Sequence, residues 1–160
     1  MKGKKFLGFL LAALLMAASA VTVYASDARV LLDGVFLDVE ARIVDSRTLL
    51  PLRAVAEAVG ADVDWDGDTR QVTLTHGATT ILLTIDNTTA YVNGAAVVLD
   101  VPAQIFDGRT FLPVRFVGES LGLYVSWGYD TAILRSPGSA FTEIELVEMA
   151  RSGVAAAPTD

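Results

Sequence analysis

The sequence predicts an α+β fold in which a hairpin–helix–hairpin unit is duplicated and mostly antiparallel sheet packs on two short helices. The first observation is a repeat: ten of twenty positions are identical between residues 47–66 and residues 109–128. Self-similarity at a fixed spacing marks a duplicated structural unit. The second is a short apolar helical stripe inside each copy. The third is Asp33-Gly34 between two β-rich runs, a dipeptide typical of tight hairpins.

The repeat separates one domain from the segments that precede and follow it. We expect one domain over residues 26–136, with internal repeats of about 28–75 and 88–135. Asn93-Gly94 repeats the hairpin signal of the first copy. The second copy is shortened after its last turn, so we expect its final strand to be abbreviated or to pair differently. Residues 137–160 form a C-terminal tail.

Each copy carries one helix. In the first, Pro51 opens the helix at a position where its missing N–H costs nothing, and Gly60 ends it. Pro113 and Gly122 do the same in the second copy. Helices of two to three turns are too short to be stable alone, so each must pack on a sheet.

The spacing of the apolar residues predicts the core. Leu52, Val55 and Val59 share one helical face, and alternation in the following strand places Val63 and Trp65 on one side. We therefore expect both tryptophans to point inward. The predicted core comprises Leu50, Leu52, Val55, Val59, Val63, Trp65, Val72, Leu74, Leu112, Val114, Val117, Leu121, Val125 and Trp127.

The tail contains one further helical signal. Phe141, Ile144 and Val147 indicate a short amphipathic helix, and Thr142 with Glu145 has the spacing of a capping box. The residues that follow are small and polar, which is typical of a frayed terminus.

Residues 1–25 have the plan of a secretory signal peptide. Three lysines precede an apolar run, and small residues follow before Ala25. We expect cleavage after Ala25, with Ala20 as the second choice and an uncleaved anchor as the alternative. The predicted protein is secreted, associated with the cell envelope and free of the membrane once the peptide is removed.

Charge excludes several partners. The chain has a formal charge of −7, and loss of the three N-terminal lysines would make it −10. Such an acidic protein is repelled by nucleic acid and by anionic membrane surfaces. There is no cysteine, so the core must hold the fold without disulfides.

The repeated motif runs from an Arg-Thr pair through Leu-Pro, a second arginine, a glutamate and a glycine to a tryptophan. It resembles the copper amine oxidase N-terminal-like domain, or stalk domain, of secreted and cell-surface proteins of Gram-positive bacteria. The resemblance covers roughly residues 29–135. The motif positions are Arg47, Pro51, Arg53, Glu57, Gly60, Trp65, Arg109, Pro113, Arg115, Glu119, Gly122 and Trp127.

The resemblance implies a non-catalytic, metal-free module without a cofactor, because the oxidase chemistry of such proteins lies in a separate domain. The residues agree: an oxidase copper site needs three imidazoles, and the chain has one histidine. We expect a stalk or interaction module at the bacterial cell envelope that contacts an envelope protein. The alternative is a module that binds cell-wall polysaccharide or peptidoglycan.

Arg53 and Glu57 are spaced i, i+4, and Arg115 and Glu119 repeat the pair. Arginine before glutamate is the weaker order for a helical ion pair. The hypothesis is that both arginines reach across the helix N-terminus to strand-end carbonyls or to a buried carboxylate.

Asp62, Asp64, Asp66 and Asp68 match the first half of a calcium loop, which gives a second alternative, a calcium-stabilised surface domain. Thr73 stands where the bidentate glutamate of such a loop belongs. The same alternation fits an acidic edge strand that discourages sheet-to-sheet association.

Exposed aromatics are the chemistry that a glycan-binding module needs. Tyr91, Tyr124 and Tyr129 are the predicted exposed rings. Trp65 and Trp127 are predicted to be core, and the alternative is that they form a sugar-stacking platform at the surface. No nucleophile–base pair and no spaced pair of acids supports an enzyme.

Overall fold

The computed structural model describes residues 24–26 and 28–156. In this part of the chain, strands alternate with short helices in the order that the repeat predicts. The elements are β1 Tyr24–Ser26, β2 Arg29–Leu32, β3 Val35–Leu37, β4 Ala41–Val44, β5 Arg47–Pro51, α1 Leu52–Ala58, β6 Asp62–Asp66, β7 Gln71–His76, β8 Thr79–Thr84, β9 Thr89–Val92, β10 Ala95–Val98, β11 Gln104–Phe106, β12 Arg109–Pro113, α2 Val114–Ser120, β13 Tyr124–Gly128, β14 Thr131–Arg135 and α3 Glu143–Ser152.

The strands form three sheets. The central sheet has the order β1-β4-β5-β12-β11, and its neighbouring strands are all antiparallel. A second sheet has the order β10-β9-β8-β7-β6 and a third β13-β14-β2-β3. The α+β class and the mostly antiparallel sheets are therefore confirmed.

An approximate two-fold axis relates the two copies. In the central sheet β5 pairs antiparallel with β12, and Leu50 lies directly opposite Leu112, its equivalent in the other copy. Residues that correspond in the repeat therefore lie opposite each other at this point. The axis passes between these two leucines and relates α1 to α2.

The two outer sheets are also equivalent, apart from one strand. The second sheet runs β6-β7, then β8, then β9-β10, and the third runs β13-β14 and then directly β2-β3. In the first copy β8 lies between β7 and β9, whereas β14 pairs in parallel with β2. The expected difference in pairing at the end of the second copy is thus confirmed, and it joins the last strand of the domain to its first hairpin.

The turns follow their sequence signals. Asp33 and Gly34 both have positive φ and connect β2 to β3, and Asn93 and Gly94 do the same between β9 and β10. These residue types accept the left-handed backbone that two-residue hairpins require. Each helix begins one residue after its proline, so Pro51 and Pro113 occupy the N-cap and not the first helical position.

The main core lies between the helices and the sheets. Leu50, Leu52, Val55, Leu112 and Val117 are at most 2% exposed. Within the predicted core, Val59, Val63 and Val125 are partly buried and pack against the main cluster. The two tryptophans are the exceptions and are described with the site.

The tail helix docks on its own domain. Leu146 and Ala150 of α3 are buried against Leu31 and Ile133 of the third sheet. The predicted capping box of Thr142 and Glu145 is present. Ile144, which was predicted on the apolar stripe, is instead 81% exposed because the buried face is centred on Leu146.

Most of the predicted signal peptide lies outside the described residues. Tyr24 and Ala25 are described, and with Ser26 they form β1, which pairs antiparallel with β4. Cleavage after Ala25 would cut this strand, whereas cleavage after Ala20 would leave it whole. In the described part of the chain, each helix is too short or too polar to span a bilayer.

Candidate functional site

The residues shared by the two copies fall into a buried set and an exposed set. Leu50, Val55 and their equivalents are core. The motif arginines, glutamates and tryptophans are exposed instead. Core packing does not explain why the exposed residues recur in both copies. We therefore look for the functional site where these exposed residues lie.

The exposed motif residues converge on two grooves. Groove one has a volume of about 550 Å³ and lies between the N-terminus of α1, the strand β6 and the start of β12. It is lined by Asp38, Val39, Pro51, Leu52, Arg53, Ala54, Glu57, Val63, Trp65, Val72, Ile105, Gly108, Arg109 and Thr110.

Groove two is its equivalent in the other copy, with a volume of about 580 Å³. It lies between the N-terminus of α2, the start of β5 and the tryptophan of β13. It is lined by Ser46, Arg47, Thr48, Val97, Val98, Leu99, Asp100, Pro113, Val114, Arg115, Phe116, Glu119 and Trp127.

Each groove is built from both copies. In groove one, Arg53 and Trp65 come from the first copy, whereas Arg109 and Thr110 come from the second. The antiparallel pairing of β5 with β12 causes this exchange, because it places the start of each strand beside the end of the other. A single copy would therefore supply only part of a groove.

The tryptophans are at the surface, and the prediction that both are core is wrong. Trp65 is 42% exposed and Trp127 is 41% exposed. Trp65 shares the inward face of β6 with Val63, as the alternation predicts, but it lines groove one where that face reaches solvent. Trp127 occupies the same position in groove two.

Comparison with protein families agrees with the repeat and the fold. The family described as "Copper amine oxidase N-terminal domain" matches residues 31–134, which contain both copies of the motif and both grooves. The chain belongs to this family. The N-terminal domain of amine oxidases is a non-catalytic, stalk-like module. A comparison with curated proteins gives no match.

The motif arginines of this copper amine oxidase N-terminal domain do not make the contacts expected of them. Arg115 Nη1 donates to Glu119 Oε1 at 3.4 Å, so it pairs along its own helix. The side chain of Arg53 makes no hydrogen bond or ion pair within residues 24–26 and 28–156. The hypothesis that both reach strand-end carbonyls or a buried carboxylate is wrong, because both guanidinium groups stay exposed at the grooves.

The second pair of arginines is held by acidic residues. Arg47 Nε donates to Asp100 Oδ2 at 2.8 Å in groove two. Beside groove one, Arg109 Nη2 donates to Glu40 Oε2 at 2.7 Å. This hydrogen bond and the charges of Arg109 and Arg42 lower the pKa of Glu40.

The two grooves differ in how many of their charged groups are free. In groove two Arg47 and Arg115 are both paired. In groove one the side chains of Asp38, Arg53 and Glu57 make no hydrogen bond with the described part of the chain. Groove one therefore presents one donor group and two carboxylates directly to solvent.

The acidic run of β6 does not assemble a metal site. Among the described residues, no group of three or more His, Cys, Asp or Glu side chains is placed to hold a metal ion. Asp66 Oδ1 accepts from the backbone N–H groups of Asp68 and Thr69. Hydrogen bonds from Thr69 and Asp68 lower the pKa of Asp66. Asp62 and Asp64 point outward on an edge strand.

The predicted exposed tyrosines are at the surface, as expected. Tyr91 is 44% exposed on β9, and Tyr124 and Tyr129 are each 56% exposed. Arg135 lies over the Tyr124 ring at 4.3 Å. Tyr129 lies beside Trp127 in a shallow hollow that continues groove two.

Several residues that line the grooves were not predicted from the sequence. Thr48 and Thr110 are identical between the copies, so the repeat itself carried their signal. Asp38 and Asp100 also correspond, but they lie outside the motif window. Phe116 was missed because Ala54 stands at its position in the first copy.

The grooves offer binding chemistry. Each combines an indole face, arginine donors, a threonine hydroxyl and carboxylate acceptors.

Proposed function

We propose that this chain is a secreted, non-catalytic module of the bacterial cell envelope that binds wall glycan in its two grooves. The observation that carries this proposal is the exposure of Trp65 and Trp127 at equivalent places, each within a groove lined by the motif arginine and glutamate.

The chemistry of the grooves suits a sugar polymer. An indole ring offers a large, rigid apolar face, on which the C–H face of a pyranose ring can stack. Sugar hydroxyls both donate and accept hydrogen bonds, and the grooves supply donors from arginine and acceptors from carboxylates. Each groove brings together two arginines and two carboxylates, so its formal charge is balanced.

The overall charge disfavours a polyanionic ligand. The chain carries −7, so an anionic wall polymer would be repelled at long range. Stacking and hydrogen bonds to uncharged sugar hydroxyls depend little on salt, whereas ion pairing at the surface is screened by it. We therefore expect retention on wall glycan to survive moderate salt.

The test is retention of the purified protein on insoluble peptidoglycan stripped of anionic wall polymers. We expect the natural protein to sediment with it at low and at moderate salt. The variant with both Trp65→Ala and Trp127→Ala should remain in the supernatant. The matched control is Tyr91→Ala, which removes an exposed ring outside both grooves and should sediment like the natural protein.

Two outcomes would overturn the proposal. Equal sedimentation of the double tryptophan variant would show that the grooves do not carry the binding. If the natural protein does not sediment at low or at moderate salt, the remaining function is that of a stalk that contacts an envelope protein. The circular dichroism spectrum of the double variant shows whether it is folded.

A further inference from the structure

We propose that the domain is bivalent and that its two grooves hold two segments of wall glycan at once. This inference rests on the proposed function and adds stoichiometry and mode of binding. The first support is symmetry: Leu50 faces Leu112 at the approximate two-fold axis, so any groove built by the motif must occur twice. The two volumes, about 550 and 580 Å³, agree with this equivalence.

The second support is the composite origin of each groove. Groove one takes Trp65 from one copy and Arg109 from the other, and groove two takes Trp127 and Arg47 in the reverse sense. Neither site can form without both copies. Duplication therefore creates both grooves at once. The exposed motif residues are the ones that line each groove.

The third support is spacing. Arg47 in groove two and Pro51 in groove one lie four residues apart on β5. A strand rises about 3.3 Å per residue, so the two grooves begin about 13 Å apart at opposite ends of the strand pair. The rigid central sheet fixes this separation, so binding in one groove raises the local concentration of polymer near the other.

The grooves need not be equal in strength. In groove two, Phe116 adds an aromatic ring where groove one has Ala54. In groove one, Arg53 and Glu57 make no ion pair with any described residue, so they can bind sugar hydroxyls without first breaking one. Two sites of unequal affinity are therefore expected for a short ligand, and one combined affinity for a polymer.

Calorimetry with a peptidoglycan tetrasaccharide tests the stoichiometry. We expect about two tetrasaccharides per natural chain and about one for either Trp65→Ala or Trp127→Ala. Binding to insoluble peptidoglycan should weaken at least about tenfold in each single variant, because the linkage between the sites is lost. Tyr91→Ala is again the control.

The outcomes separate this inference from the proposed function. One tetrasaccharide per natural chain, with binding abolished by a single tryptophan variant, would overturn bivalency and leave a glycan-binding module. A second outcome is two tetrasaccharides per natural chain, together with single variants that bind insoluble peptidoglycan as tightly as the natural protein. That outcome would overturn the claim that both grooves hold the polymer at once. No binding of either probe would overturn both proposals.

Discussion

At the scale of single residues, Gly118 shows how closely α2 lies against its sheet. A Cβ at this position would come within 2.4 Å of Val125 Cγ2 and 3.1 Å of Leu134 Cδ2. The equivalent residue in the first copy is Ala56, which is fully buried. The first copy therefore accommodates a Cβ at the position where the second copy has no room for one.

The variant Gly118→Ala tests this packing. We expect a loss of about 1–3 kcal/mol in the free energy of unfolding, because a methyl group added to a filled core forces its neighbours to move. Urea denaturation measures the loss. Gly138→Ala is the matched control, since nothing lies within 4 Å of its added Cβ. An unchanged midpoint for Gly118→Ala would contradict the close approach.

Asp33 joins the first hairpin to the end of the last strand. Its two carboxylate oxygens accept from the backbone N–H and the hydroxyl of Ser136 at 2.9 and 2.6 Å. Partial burial raises the pKa of Asp33, but the hydrogen bonds from Ser136 and Ser139 and the charge of Arg135 outweigh it, so the pKa is lowered.

This shift predicts how stability depends on pH. A carboxyl group whose pKa is lower in the folded protein stabilises it above the unfolded value of about 3.9. The contribution is lost as pH falls through the folded pKa. Asparagine tolerates the same positive φ, so Asp33→Asn is a suitable variant. It should lose less Tm between pH 5 and pH 3 than the natural protein does. The same loss of Tm in both proteins would show that the ionised Asp33 carboxylate does not contribute to stability.

The structure of some residues could be predicted from the sequence, and that of others could not. Asp33-Gly34 was predictable because its turn chemistry is local. The orientation of Trp65 was not, because alternation gives the face of a strand but not the point at which a helix stops covering that face. The prediction of the Arg53 contacts was wrong for a similar reason. Neighbouring residues determine where a long exposed side chain lies, and the spacing of residues along the sequence does not.

At the scale of elements, α3 is held by two buried side chains, of which Leu146 is larger than Ala150. Leu146 is fully buried in the small cluster with Ile133, whereas Ile144 on the same helix is 81% exposed. We expect Leu146→Ala to lower the free energy of unfolding by about 2–5 kcal/mol, the range for buried leucines. Ile144→Ala should stay within about 0.5 kcal/mol of the natural protein. Equal effects in thermal unfolding would show that α3 does not dock as described.

The acidic strand β6 gives a prediction about metal. Asp66 already caps its own turn, and Asp62 and Asp64 face solvent along a sheet edge. We therefore expect EDTA to leave the Tm unchanged, and calcium to raise it no more than in Asp64→Ala. A calcium-dependent rise in Tm that Asp64→Ala abolishes would establish the calcium-stabilised domain instead.

Pairing between distant elements was the part of the fold least open to prediction. Hairpin partners such as β4 and β5 follow from the short turn between them. The parallel pairing of β14 with β2 joins strands about a hundred residues apart, and no local signal specifies it. The shortened end of the second copy indicated only that something different happens there.

At the scale of the whole molecule, the duplication explains both the fold and the site. One axis between Leu50 and Leu112 relates the helices, the outer sheets and the grooves. The repeat was visible in the sequence, and so was the family. The composite grooves were not, because they depend on which strand of one copy lies beside which strand of the other.

The two tryptophans of the chain permit a direct measurement, because one lies in each groove. The decisive experiment is a titration of intrinsic tryptophan fluorescence with soluble peptidoglycan tetrasaccharide, using the natural protein and the variants Trp65→Phe and Trp127→Phe. We predict a saturable change in emission in all three proteins, because each single variant keeps one reporter in one groove. Emission that stays unchanged while the protein still sediments with peptidoglycan would contradict the account, since binding would then lie outside both grooves.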